Sequence, residues 1–326
     1  MPDRLRVGIL TSGGDAPGMN AALRAFVRRG WELGLQPVGI RRGYAGLISG
    51  DLSPLTPRDV GGILELGGTF LGTARCPEFL EPAGQKQALE ILRRENLAAL
   101  VVIGGEGSLA GANWLSQQGV AVVGLPASID NDIQGTDLAI GVDTALNTVV
   151  WALNRIRDTA LAHGRAFLVE VMGRQSGYIA LMGGLAGGAE VIVVPEVPLS
   201  LEDIVAQVEE GYRKGKRHSI VVVAEGVRER LGTTSQLARA IEEATGLEVR
   251  VTVLGHLQRG GSPTAFDRLL GSQLGAQAAE DVAAGKCGHL VAWQQGKLCS
   301  IPLAQVTRKS PAIDLALYRL AHSLAT

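Results

Sequence analysis

Short apolar runs rich in β-branched residues alternate along the chain with longer stretches whose apolar positions recur at helical spacing. The runs occupy residues 7–10, 38–40, 99–103, 121–125, 166–171, 191–194, 220–224 and 249–254. Each has the length and near-continuous hydrophobicity of a strand buried on both faces. Between them, residues 20–33, 85–94, 108–118, 144–161, 201–214, 235–244 and 262–284 carry apolar side chains at helical spacing and predict crossover helices. This alternation predicts an α/β protein of wound, mainly parallel sheets. At 326 residues the chain exceeds what one core usually holds, so two domains are expected, although no linker or low-complexity segment marks a boundary.

Composition narrows the class further. Hydrophobic residues make up 46% and aromatic residues 4%, so the core is expected to be Val, Ile, Leu and Ala, and 44 glycines imply many tight turns. With 31 basic and 32 acidic residues the net charge is −1, which gives no global attraction to nucleic acid or to an anionic membrane. The three cysteines, Cys76, Cys287 and Cys299, form no CxxC pair, which predicts neither a disulfide scaffold nor a structural metal site and fits a reducing cytoplasm. The amino-terminal run is too short for a signal sequence and no apolar run reaches membrane-spanning length, so a soluble cytoplasmic protein is expected.

Candidate chemistry gathers where predicted strands end. The segment GLPASIDND, residues 124–132, puts Asp130 and Asp132 on a loop after the run 121–125, and open parallel sheets bind ligands outside the carboxyl ends of their strands. Asp and Asn also populate ordinary turns, so the pair alone leaves both readings open. Two glycine-rich turns follow other runs: TSGGDAPGMN at 11–20 and GGEGS at 104–108. Backbone without a Cβ approaches an anion closely, and a helix start adds a positive dipole end, so both turns suit phosphate. Either would also serve as a plain strand-to-helix connection, and neither matches GxxxxGK[ST] or GxGxxG. Phosphoryl transfer further requires a carboxylate for Mg²⁺, cations on the developing charge and a base near the acceptor hydroxyl. Glu106 offers the first, Arg75, Arg174 and the cluster from His256 to Arg259 the second, and Asp130, supported by Asp132, the third.

Together with LTSGGDAPGMNAALR, GGTFLGTAR, VVIGGEGSL, GLPASIDNDIQGTD, VEVMGR, AGGAEVIVVPE and TVLGHLQRGGSP, these features cover nearly the whole chain in order. The chain resembles the ATP-dependent 6-phosphofructokinase family of the compact bacterial type. That resemblance implies a glycolytic enzyme that moves the γ-phosphoryl of MgATP to the C1 hydroxyl of fructose 6-phosphate. It implies a homotetramer and an active site in the cleft between two wound domains. The ATP-binding domain would comprise residues 1–140 with about 254–303, and the fructose 6-phosphate-binding domain about 141–253 with 304–326.

Carried over position by position, the resemblance assigns Gly14, Arg75, Cys76, Gly105, Glu106, Gly107 and Ser108 to the ATP site, with Glu106 as the magnesium ligand. Asp130 becomes the base, with Asp132, Arg174 and Arg75 beside it in catalysis. Ser128, Ile129, Met172, Gly173, Arg174 and Glu225 become sugar contacts. Arg165, Arg250, His256 and Arg259, with Leu257 and Gln258 in the same segment, become the grip on the 6-phosphate, the first two reaching over from a neighbouring subunit. An effector site at a subunit interface, activated by ADP and inhibited by phosphoenolpyruvate, would use Arg24, Arg28, Arg157, Gly188, Ala189, Glu190, Lys214, Lys216, Arg217 and His218. Where the family has a further effector arginine near position 57, this chain has Pro57 and then Arg58.

Two departures touch the reaction itself. The family's GGDGS is GGEGS here, which moves the magnesium carboxylate by about 1.5 Å, and a misplacement near 1 Å costs about a hundredfold in rate. The family's PGTIDND is PASIDND, in which Ser128 keeps the hydroxyl. Relatives that use pyrophosphate carry Asp where Gly107 stands and Lys where Ala127 stands, so the small residues here leave room for a nucleotide's α-phosphate. Besides the ATP-dependent kinase, two other readings remain: a pyrophosphate-dependent relative, and a non-catalytic or weakly active nucleotide and sugar-phosphate-binding paralogue.

Overall fold

The computed structural model describes residues 4–306 and 313–325. Its strands are β1 (Leu5–Ser12), β2 (Leu35–Ile40), β3 (Leu52–Pro54), β4 (Ala99–Gly104), β5 (Val122–Pro126), β6 (Ala166–Val171), β7 (Val191–Val193), β8 (Ser219–Ala224), β9 (Val249–Val253), β10 (His289–Gln294) and β11 (Lys297–Pro302). Helices α1 (Met19–Glu32), α2 (Gly43–Ser49), α3 (Pro82–Arg94), α4 (Glu106–Gln117), α5 (Val142–His163), α6 (Tyr178–Ala186) and α7 (Leu201–Arg213) follow in order. They are succeeded by α8 (Arg228–Leu231), α9 (Thr234–Thr245), α10 (Ala265–Ala283) and α11 (Leu315–Leu324). Among the described residues no helix is long and apolar enough to cross a membrane.

Contacts divide the chain into two compact units, Met1–Thr144 with Arg259–Lys309 and Ala145–Gln258 with Ser310–Thr326. Of the tail expected in the second domain, residues 307–312 and 326 lie outside the described residues.

The first unit is a seven-stranded sheet in the order β11-β10-β5-β4-β1-β2-β3. Strands β10, β5, β4, β1 and β2 run parallel, and the edges β3 and β11 are antiparallel. All six residues of β4 are buried, as a central strand covered on both faces requires. From β1 the chain steps to β2 on one side, while β4 and β5 build outward on the other, so β1 and β4 flank a topological switch point.

The second unit is a four-stranded parallel sheet in the order β7-β8-β6-β9. Its core packs Leu168, Val191, Val193, Val221 and Val223 of the strands against Ile204 and Val208 of α7 and Ile241 of α9. Each such side chain contributes about 1.5–3 kcal/mol by leaving water.

Several elements differ from the pattern-based expectation. Helix α4 begins at Glu106, two residues early, because Gly105 takes the extended N-cap conformation and the GGEGS turn runs into the helix. Helix α10 begins at Ala265 rather than at residue 262, with Thr264 as N-cap accepting from the Asp267 N–H at 3.3 Å. The hairpin β10–β11 went unpredicted although its turn was signalled by Gln295 and Gly296, both at positive φ. Helices α2 and α6 are short and glycine-containing, so they show too few turns for a period to register.

Candidate active site

Three turns carry the first unit's chemistry, and they leave the carboxyl ends of neighbouring parallel strands, β1, β4 and β5. Sequence alone left open whether they converge; the strand order settles that they do. Ala127 N–H donates to Gly104 O at 3.0 Å, joining the carboxylate loop to the second glycine turn. A Cβ on Gly13 would lie 3.1 Å from Ser108 Oγ, joining the second turn to the first. Gly14 leaves room for the Arg259 guanidinium: a Cβ there would sit 2.3 Å from Arg259 Nη1, which donates to Asp15 O at 3.1 Å, so a side chain would displace the arginine. Arg259, expected with the 6-phosphate grip, therefore braces the first glycine turn.

The segment before Arg75 is fastened to that same turn. Thr11 Oγ1 and Thr69 Oγ1 share a hydrogen bond of 2.7 Å, Thr11 Oγ1 also donates to Gly72 O at 2.9 Å, and Thr73 Oγ1 donates to Gly13 O at 2.7 Å. Arg75 emerges exposed beside the half-buried Cys76, whose thiol is pushed up from its ordinary pKa by burial. Glu106 occupies the first position of α4 and Gly107 the second, with Ser108 buried behind them and its carbonyl accepting from Tyr44 Oη at 2.7 Å.

In the carboxylate loop Asp130 is 3% exposed. Ser128 Oγ donates to Asp132 Oδ1 at 3.0 Å and accepts the Asp130 N–H at 3.3 Å. Between the two carboxylates Asn131 takes the left-handed conformation, φ 50°, and its amide both donates to Asp137 O at 2.9 Å and accepts from Ala139 N–H at 3.1 Å. Asn131 thus holds the bend that spaces the acids, a role the motif reading missed although Asn is among the few residues suited to positive φ.

The second unit's candidate residues surround the turn after β6. Gly173 has φ 140° and Arg174 φ 51°, and a Cβ on Gly173 would lie 2.3 Å from Ser176 O. Met172 N–H donates to Gln258 Oε1 at 3.3 Å, Arg174 N–H to Glu225 Oε1 at 2.8 Å and Gly177 N–H to Glu196 Oε1 at 2.8 Å. Gln258 is fully buried, while Leu257 beside it is 66% exposed. Glu196 was not singled out by sequence.

Arg165 and Arg250 lie elsewhere. Arg165 precedes β6 and Arg250 is the second residue of β9, paired in register with Phe167, so both stand at the amino ends of the strands. The six residues of β6, roughly 20 Å of strand, separate Arg165 from Met172. Glu248, also missed by sequence, takes Arg165 Nε at 2.5 Å and pairs with Arg250 as well.

The candidate effector residues fall into two groups. On α1, Arg24 is half-buried and Arg28 exposed, and Arg28 lines an open cavity of about 550 Å³ with Trp31, Glu32, Pro57, Arg58 and Gly61. Arg58, rather than residue 57, adds a second cation to that wall beside Arg28. In the second unit Arg157 donates to the carbonyls of Gly187 and Gly188, the latter at 2.7 Å. Glu190 accepts from Ile220 N–H at 2.8 Å and faces Lys216 at 3.4 Å and His218 at 3.9 Å. Ala189 is buried, Arg217 is exposed, and Lys214 pairs with Glu210 at 3.4 Å.

Among the described residues no cluster of three or more His, Cys, Asp or Glu could cage a metal ion. The half-exposed Glu106 stands beside a glycine turn, and Mg²⁺ carried by a nucleotide needs only one or two carboxylates besides phosphate and water.

Two glycine-rich turns and a carboxylate pair at one end of one sheet, with an arginine-bearing turn on another, are the parts that an α/β phosphotransferase requires. Comparison with known proteins narrows this: the family model for phosphofructokinase matches residues 6–282. The chain belongs to the phosphofructokinase family. It is 51% identical over 320 residues to the ATP-dependent 6-phosphofructokinase of Halalkalibacterium halodurans, covering 98% of this chain and 99% of that one. The ATP-dependent 6-phosphofructokinase of Bacillus cytotoxicus is 50% identical over the same length and coverage. Among solved structures, phosphofructokinase from Saccharomyces cerevisiae superposes with a TM-score of 0.88 at 35% identity over 99% of this chain, which spans 48% of that longer one. A pyrophosphate-dependent phosphofructokinase from Marinobacter aquaeolei shares the fold, with a TM-score of 0.86 at 23% identity over 95% of this chain and 86% of that one.

Proposed function

We propose that this protein transfers the γ-phosphoryl group of MgATP to the C1 hydroxyl of fructose 6-phosphate, giving fructose 1,6-bisphosphate and ADP in cytoplasmic glycolysis. The observation that carries this reading is the adjacency of β1, β4 and β5, which gathers two phosphate-binding turns and the Asp130 loop at one sheet end. ATP is the favoured donor because Gly107 is open, with nothing within 4 Å of where its Cβ would stand.

Backbone N–H groups of the two glycine turns hold the donor's phosphates, with the α4 N-terminus behind them. Glu106 would hold the metal, which when bound neutralises charge on the phosphates. Asp130 receives the C1 hydroxyl proton, and Ser128 keeps Asp132 fixed nearby as the supporting charge. Arg75 and Arg174 meet the charge that develops on the transferring group. On the acceptor side, Met172, Gly173, Arg174 and Glu225 hold the sugar and His256 its phosphate. Arg165 and Arg250, roughly 15–20 Å along the sheet from Met172, serve the site of a second copy, which makes an oligomer, a tetramer in this reading, part of the mechanism. ADP and phosphoenolpyruvate act at the residue set of Arg24, Arg28, Arg58, Arg157, Glu190 and Lys216.

Steady-state turnover of fructose 6-phosphate, measured in parallel with MgATP and magnesium pyrophosphate, tests this. Rapid formation of fructose 1,6-bisphosphate with MgATP is expected. Pyrophosphate-only turnover, or ligand binding with no turnover, would replace the proposal with one of the two alternatives.

A further inference from the structure

Three side chains from three other strand ends hold the turn after β6, each by accepting one of its N–H groups. Gln258, after β9, takes Met172; Glu225, after β8, takes Arg174; Glu196, after β7, takes Gly177. The first two belong to the acceptor-side residues named above. Glu196 has no assigned part, and its environment is costly for a carboxylate. Oε2 is buried with no hydrogen-bond partner among the described residues, and burial pushes the carboxyl above its ordinary pKa. A helix N-terminus is ordinarily served by a Ser, Thr, Asp or Asn next to it in sequence. Here the N-cap is Gly177, with no side-chain cap of its own, and the acceptor comes from a residue 19 positions away.

The turn itself explains the need. Gly173 at φ 140° uses a region open to glycine, whereas Arg174 at φ 51° holds a left-handed conformation that a non-glycine residue keeps only where its surroundings over-determine it. Gly177 is pressed against Glu196 as well as bonded to it, since a Cβ there would lie 2.5 Å from Oε2 and 2.6 Å from Val194 Cβ. At its downstream end the turn is therefore held from outside by this side chain.

We propose that Glu196 is a positioning residue for the acceptor site: by holding the Gly177 N–H it fixes the Gly173–Arg174 turn, and through it the sugar contacts and the Arg174 guanidinium. The inference rests on the proposed function, in which this turn meets fructose 6-phosphate.

Kinetics of Glu196→Ala and Glu196→Gln test it. Glu196→Ala is expected to raise KM for fructose 6-phosphate about tenfold and to lower kcat/KM for that substrate up to about a hundredfold, with KM for MgATP unchanged. Glu196→Gln, whose amide oxygen accepts the same N–H, restores KM for fructose 6-phosphate. An unchanged fructose 6-phosphate KM in Glu196→Ala, a parallel rise in both KM values, or no rescue by Gln overturns the proposal. If Glu196→Ala does not fold, Glu196→Asp carries the same test, because its arm is shorter by about 1.5 Å. Hydrogen exchange of the segment containing Gly177, without substrate, gives a readout independent of turnover. Faster exchange in the Ala variant supports the anchor, and equal exchange overturns it. Absence of turnover in the unmodified protein would instead sink the functional reading.

Discussion

Ser128 donates its hydroxyl to Asp132 at 3.0 Å while receiving the N–H of Asp130 at 3.3 Å, so one side chain fixes the spacing of both acids. A hydroxyl can donate and accept at once, which Ala cannot do and Cys does only weakly. Ser128→Ala is expected to lower kcat about tenfold with little change in KM for MgATP, and Ser128→Thr to stay near the unmodified value. The magnitude follows from a displacement well below the ~1 Å that costs about a hundredfold. Steady-state kinetics of the two variants decide it, and equal activity in all three proteins would remove Ser128 from the site.

Asp130 is nearly buried, and its proposed task is to receive a proton. Asp130→Asn keeps the shape and removes the base, so turnover should fall by about 10²–10⁴ while fructose 6-phosphate still binds. Calorimetric titration of the variant with the sugar phosphate is the check. Equal loss of binding and turnover would make Asp130 a binding group.

Much of this is legible in the sequence. The runs at 99–103 and 166–171 are strands within a residue or so, because central parallel strands such as β4 are buried on both faces and must read as unbroken apolar runs. The glycine turns were legible because glycine is demanded where backbone closely approaches another group, as at Gly104, where a Cβ would lie 2.5 Å from Ser12 O. Strand order was not legible: nothing in 7–10 or 99–103 says that β1 and β4 are neighbours, since that depends on non-local pairing. Glu196, Glu248 and Asn131 were missed for a related reason. Glu196 acts through one bond to remote backbone, Asn131 through two bonds within its own loop and Glu248 through Arg165 and Arg250, and a lone acid or amide carries no spacing to detect.

Glu106 stands at the first position of α4, where a carboxylate also favours the helix dipole. Glu106→Gln should raise the Mg²⁺ concentration for half-maximal turnover about tenfold or more, since one neutral ligand replaces the charged one in the set. Glu106→Asp is expected to keep the unmodified Mg²⁺ requirement and at least the unmodified kcat. A magnesium titration of turnover distinguishes them, and no shift in Glu106→Gln would place the metal elsewhere.

Burial raises the Glu196 carboxyl above its unfolded pKa, and the bond from Gly177 only partly opposes this. The folded state therefore holds this proton more tightly than the unfolded chain does. The resulting stability is present in full below the unfolded value, about 4.3, and is lost as pH rises through the folded one. Glu196→Gln cannot ionise and keeps an acceptor for Gly177, so its Tm relative to the unmodified protein should rise from pH 4 to pH 7. Thermal unfolding at both pH values checks the sign. A relative loss at pH 7 would mean that the ionised carboxylate is the favoured form.

The donor can be tested at one position with little risk to the fold. A Cβ on Gly107 would meet nothing within 4 Å, its backbone is helical, and an acid in the first turn of α4 suits the helix dipole. Ala127, the other donor-linked position, is 1% exposed, so Lys there would bury a charge and confuse selectivity with instability. Gly107→Asp should therefore fold with an unchanged Tm while kcat/KM for MgATP falls about a hundredfold, because the new carboxylate occupies the space of the α-phosphate and repels it. KM for fructose 6-phosphate should hold. A variant that uses MgATP as well as the unmodified protein would show that the nucleotide's α-phosphate does not lie against Gly107, and the argument for ATP from this open turn would fail with it.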